Sequence, residues 1–169
     1  MKYSGKIPGA PNFTYEELIH SDTADRYNLD NTPKFDQIWV NLAELAVNVL
    51  QPLRDHFGEP IVVTSGYRCA AVNRAVGGSM TSFHASGCAA DIRFEKKSER
   101  KESELFKFAY RNLQFAEMIA EGIPSGWLHI AYCRDRNDER ALKYMLDKEG
   151  VVKRGTYQQI LQFYGSYHC

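Results

Sequence analysis

No stretch of this chain approaches the ~20 consecutive apolar residues that a membrane-crossing helix needs, so no transmembrane segment is expected. Neither sign of charge is in excess, because 21 Lys and Arg are matched by 21 Asp and Glu. A balanced surface has no long-range field to recruit nucleic acid or anionic lipid, and neither is expected as a partner. The first eleven residues include Lys2 and Lys6 but no apolar core. They do not read as a secretory signal, and the chain is expected to be made in the cytoplasm. Cysteine is sparse, and Cys69, Cys88, Cys133 and Cys169 show no C-x-x-C spacing, which argues against a zinc knuckle. Reduced thiols are expected, with Cys69 and Cys88 the best case for a disulfide. No internal repeat or low-complexity tract is visible. A chain of 169 residues can bury roughly 70% of its unfolded surface as one domain. The expectation is one domain over 1–169, with 1–12 an extended arm and 134–169 a C-terminal extension packed on the same core.

What is present can be divided by caps and periodicity. Thr14 and Glu17 form a capping box that opens a short helix to Ile19. Residues 21–32 read as a polar, turn-rich segment. From Pro33 a long helix is predicted, since Phe35, Ile38, Trp39, Leu42, Leu45, Ala46, Val49, Leu50 and Leu53 recur at intervals of three and four. Pro52 marks a kink or a restart in it. A β-branched strand at 61–65 is followed by a short helix at 70–76, closed by Gly77 and Gly78. A strand at 89–94 comes next, and Ser98 caps a charged helix to about Asn112. Residues 115–121 and 127–132 alternate as partner strands about a turn at 122–126. Residues 141–154 read as a hairpin, with a helix capped at Gly150 as the alternative, and Thr156 caps a last helix through Tyr164. The mixture is α+β.

The chemistry concentrates in Ser82-Phe83-His84-Ala85-Ser86-Gly87-Cys88-Ala89-Ala90-Asp91, answered by Trp127-Leu128-His129. Two imidazoles and a carboxylate, His84, Asp91 and His129, suit one Zn²⁺ and leave a fourth position for the water a hydrolase needs. Turn symmetry sets Glu121 roughly opposite His129, within cross-strand reach. There it can act as general acid/base toward that water. Glu117, four residues earlier on the same face, is the reserve. Arg68 leaves the Ser65-Gly66-Tyr67 turn toward the same region, where a guanidinium can hold a substrate carboxylate or polarise a carbonyl. A surface salt bridge is its alternative. Ser82 is a candidate substrate contact or turn cap, and Trp127 is a candidate to pack over the site or to stack on substrate there. His20, His56 and His168 have no matching partners and are assigned no chemistry.

Ser65-Gly66-Tyr67-Arg68, Asn73, Gly77-Gly78, the S-x-H-x-x-G-x-A-x-D run from Ser82 to Asp91, and Trp127-x-His129 together resemble the zinc D-alanyl-D-alanine peptidases. They resemble most the short VanY-like branch found in bacteriophages and their hosts. The resemblance spans about Phe13 to Tyr132. It implies a hedgehog/DD-peptidase fold with a small antiparallel sheet, and cleavage of peptidoglycan stem peptides. It also implies zinc on His84, Asp91 and His129, and an arginine at Arg68 supporting the substrate. Several relatives carry the catalytic acid three residues before the second zinc histidine, or a histidine two before it. Here those positions are Gly126 and Trp127, and Glu121 matches the glutamate that the short branch carries at the end of the preceding strand.

The expectation is therefore a monomeric zinc peptidase, a carboxypeptidase or an endolysin-type endopeptidase, phage-encoded and reaching the wall after release. The rival is a non-catalytic wall-binding or structural protein of phage origin that keeps the fold.

Overall fold

Strands β4 (Ala89–Phe94), β5 (Glu117–Ile123) and β6 (Trp127–Ala131) alternate apolar with chemically active residues, so each must present two unlike faces. In the computed structural model, which describes residues 3–96 and 98–165, the alternation is in phase across all three strands. Ala90, Ile92, Phe94, Met118, Ala120, Leu128 and Ile130 enter the main core. Asp91, Glu117, Ile119, Glu121, Trp127 and His129 line a cleft on the opposite face. The register holds this phase, with Asp91 and Ile119 both opposite His129 on either side of β6. A slip of one residue would drive the carboxylates into the core. Glu121 pairs with Trp127, so it sits diagonally from His129 rather than opposite it as the turn symmetry suggested.

The full sheet has the order β3 (Ile61–Ser65), β4, β6, β5, β7 (Ala141–Leu146), β8 (Lys153–Arg154). The antiparallel expectation holds for every pair except β5 and β7, which run parallel. A 3₁₀ segment, Arg134–Glu139, carries the chain from β6 to the free edge of β5, where the Ala141 N–H donates to the Ala116 carbonyl. The segment beyond residue 134 thus extends the sheet. Its final helix α7 (Tyr157–Gly165) sends Ile160 and Tyr164 into the main core. Thr156 accepts from the Gln159 N–H, as a cap should. Cys169 and His168 lie outside the described residues.

Helices cover the core face. The long helix comprises α3 (Asp36–Leu45), one π turn (Ala46–Leu50) and α4 (Gln51–Phe57), labels that follow α1 (Tyr15–Ile19) and α2 (Asp22–Tyr27). Pro52 lacks an N–H and lies in the first turn of α4. The π turn absorbs it by widening the spiral, so that the Gln51 N–H reaches back five residues to the Ala46 carbonyl. Beyond the short α5 (Ala70–Ala75), helix α6 (Glu99–Asn112) opens on Ser98, which accepts from the Lys101 N–H, and Leu105, Phe106 and Ala109 fill the core.

Two local expectations change. The arm is a small hairpin of β1 (Lys6–Ile7) and β2 (Ala10–Thr14), turning at Gly9 with φ 83° and burying Ile7, Ala10 and Phe13. The polar segment after His20 contains α2, which Ser21 caps by accepting from the Ala24 N–H. The capping box at Thr14 forms as expected, with its hydroxyl accepting from the Glu17 N–H at 3.2 Å. Among the described residues, no helix is long and apolar enough to cross a membrane.

Gly66, just after β3, meets α1 backbone to backbone. A Cβ there would lie 2.2 Å from the Leu18 carbonyl oxygen. Gly66→Ala is expected to lower stability by about 1–3 kcal/mol, the range for forced overpacking, as a fall in the urea midpoint at unchanged slope.

Candidate active site

The first site histidine is placed by a turn and the other two residues by the sheet. His84 lies in a 3₁₀ turn, Phe83–Ser86, which Ser82 caps by accepting from the His84 N–H at 3.3 Å. Gly87 ends the turn with φ 74°. A Cβ at Gly87 would also lie 2.8 Å from the Ile38 carbonyl, so only glycine lets the chain pass into β4 here. Asp91 and His129 then face each other across the β4–β6 ladder.

The three side chains converge. Asp91 Oδ1 is 3.2 Å from His84 Nε2 and 2.9 Å from His129 Nδ1, and the two nitrogens are 3.1 Å apart. All three residues are buried. His84 Nδ1 lies 2.7 Å from the Gly66 carbonyl, an acceptor, which puts the proton on Nδ1 and leaves a lone pair on Nε2. A proton can bridge two such inward-facing atoms but not three, whereas one cation satisfies them all. Tetrahedral zinc with bonds of about 2.0–2.1 Å needs ligand atoms about 3.3 Å apart, close to the triangle found. The donor set therefore fits zinc.

Protonation states agree with this. Burial lowers the pKa of His84, which favours the neutral ring that ligates. Burial opposes ionisation of Asp91, yet hydrogen bonding and charge from His129 and His84 outweigh it and hold the carboxyl below the usual carboxylate range. The second Asp91 oxygen, Oδ2, accepts from Arg68 Nη2, while Arg68 Nε donates to Ser65 Oγ at 2.7 Å. Arg68 is thus fixed at the cleft wall through two guanidinium nitrogens, in a mostly buried ion pair rather than a surface one.

The cleft has a volume of about 800 Å³. Arg68, Ser82, Glu121 and Trp127 line it together with the triad. The Glu121 carboxyl is pushed above its ordinary value of 4.5, first by burial and then by the Asp91 charge. Glu117 also reaches the site, its Oε1 3.6 Å from His129 Nε2 and its Oε2 accepting from Lys143 Nζ. Gly126 cannot carry a side chain, because a Cβ there would fall 1.8 Å from the Glu121 carbonyl oxygen.

Sequence reasoning missed the far wall, where Arg136, Glu139, Lys143, Val152 and Arg154 line the same cleft. Lys143 arrives through the parallel β5–β7 pairing, which no local pattern announces. The thiols of Cys69, Cys88 and Cys133 are free. Burial raises the Cys88 thiol to about 11, and its thiol neighbour is Cys133 rather than Cys69. His20 clusters with Asp22 and Asp25 on the exposed surface, away from the cleft.

The sequence model of the family described as peptidase M15 matches residues 11–131, well over half the chain. The chain belongs to the peptidase M15 family. This is the family of zinc D-Ala-D-Ala and VanY-like peptidases, and the mixed α+β architecture is consistent with it. M15 peptidases are zinc-dependent, and the buried His84, Asp91 and His129 group can bind a metal ion. Membership supports a metallopeptidase whose substrate is a peptide of the bacterial cell wall. No curated protein matches the chain. The M15 match ends at Ala131, so the far wall of the cleft, from Arg136 to Arg154, lies beyond it.

Proposed function

We propose that the protein hydrolyses peptide bonds in peptidoglycan stem peptides, with His84, Asp91 and His129 holding one zinc ion and Glu121 moving the proton. The observation that carries this is the convergence of three inward-facing ligand atoms in a cleft that Glu121 also lines. Zinc held there supplies a Lewis acid that polarises a carbonyl and lowers the pKa of water from 15.7 to about 7. Glu121 takes the proton of the attacking water and delivers it to the nitrogen of the leaving amine. Its raised pKa suits the first half of that task, since a less acidic carboxyl takes a proton from water more readily. Arg68 holds Asp91 in place from behind, and its position at the cleft wall suits it to meet a substrate carboxylate. Trp127 packs at the cleft edge, and Ser82 holds the His84 turn while facing the same space.

Mass spectrometry of purified muropeptides, incubated with zinc-loaded or chelator-treated protein, tests this reading. Zinc-loaded protein is expected to shorten the stem peptide, and the chelated protein to leave it intact. Loss of one terminal D-alanine identifies a carboxypeptidase, and two peptide fragments an endopeptidase. No cleavage of any stem peptide by zinc-loaded protein would favour the rival, a wall-binding protein.

A further inference from the structure

We infer that Glu117 and Lys143 act together as positioning residues for His129, so that strand β7, beyond the M15-matched region, completes the metal centre. The inference rests on the proposal that the triad holds a metal ion, and it separates the tasks of the two cleft glutamates.

His129 turns Nδ1 inward to Asp91 and His84. An imidazole that ligates through one nitrogen carries its proton on the other, here Nε2. That atom is buried and has no hydrogen-bond partner. A buried N–H left unpaired is costly, and metal-binding histidines almost always give theirs to a carboxylate, a carbonyl or water. Among the described residues, Glu117 brings its carboxylate oxygen to 3.6 Å from Nε2. That is slightly too long for a hydrogen bond, and a shift of about 0.6 Å makes one.

Lys143 explains why the carboxylate is there. His129, Ile119 and Lys143 form a lateral row across β6, β5 and β7, all on the cleft face. From that row the Lys143 side chain reaches back to Glu117 Oε2. Both partners are well covered, with side-chain exposures of 29% for Lys143 and 15% for Glu117. The ammonium offsets the charge of a carboxylate that stands near Asp91 and Glu121, and it directs Oε1 toward the ring. A carboxylate already engaged by an ammonium on one side and an imidazole on the other is badly placed to take a proton from water. Among the described residues, Glu121 has no such engagement.

Zinc affinity, measured by competition with a chromophoric chelator, tests the assignment. Glu117→Gln and Lys143→Met are each expected to weaken zinc binding by about 10–100-fold, as loss of such supporting partners does elsewhere. Activity should recover toward the wild-type value at saturating zinc. Lys143→Arg, which keeps the cation, should lie closer to wild type than Lys143→Met. Circular dichroism melts of the zinc-free proteins establish that each variant is folded. Unchanged zinc affinity in Glu117→Gln and Lys143→Met overturns the inference. So does a Glu117→Gln variant that binds zinc normally but loses turnover, since that is the behaviour of a general base. Failure of the wild type to bind zinc at all overturns the metal-site reading, and this inference with it.

Discussion

His84→Ala is expected to abolish zinc binding and stem-peptide hydrolysis together, while leaving a folded protein. His84 supplies one corner of the ligand triangle, and its second nitrogen is tied to the Gly66 carbonyl. The substitution leaves one carboxylate and one imidazole, too few to hold zinc in a tetrahedral site that keeps a position for water. The loss should exceed the 10–100-fold typical of supporting partners. The 3₁₀ turn itself persists, because its backbone bonds and the Ser82 cap use the His84 main chain and not its ring. Isothermal titration with zinc, read beside a thermal melt, checks both halves. A folded variant that keeps full zinc affinity or full hydrolysis would refute the site.

Glu121→Gln should separate chemistry from binding. Turnover is expected to fall by about 10²–10⁴-fold, the usual contribution of a positioned acid/base, with zinc affinity retained. The same variant should be more stable than wild type at neutral pH. Folding raises the Glu121 pKa above 4.5, through burial first and the Asp91 charge second. Below 4.5 the carboxyl is protonated whether the chain is folded or not, and its neutral form is accommodated without penalty. As pH rises through the folded-state value, ionisation favours the unfolded chain, and this share of stability is lost. Glutamine never ionises. In zinc-free protein, the Tm of Glu121→Gln should therefore exceed that of wild type at pH 7, and the gap should close as pH falls below about 4.5. A fully active variant would end the case for Glu121 as the proton carrier.

Much of this site was legible because β4, β5 and β6 obey a two-residue alternation that assigns faces without knowledge of the fold. The caps at Thr14, Ser98 and Thr156 are equally local, and each forms as read. Helix α2 was hidden because it buries only Ala24 among its six residues and so shows no apolar period. The N-terminal hairpin was hidden because its strands are short and its buried residues few. Lys143 was hidden for a deeper reason. Its place depends on β7 joining β5 in parallel, a pairing decided by the whole sheet rather than by any nearby residue. The candidate ligands could be read from a motif, whereas the support proposed behind His129 needed coordinates.

The tight hairpin between β5 and β6 has an evolutionary corollary. Where Gly126 presses on the Glu121 carbonyl, no acidic side chain can be introduced without first rebuilding the loop. On the proposed reading, moving the proton carrier from position 121 to position 126 would thus cross a fitness valley: Glu121→Gln paired with Gly126→Glu loses one carboxylate before the other has anywhere to stand. A single ångström-scale backbone contact thus denies this chain a side chain at position 126, whichever carboxylate moves the proton.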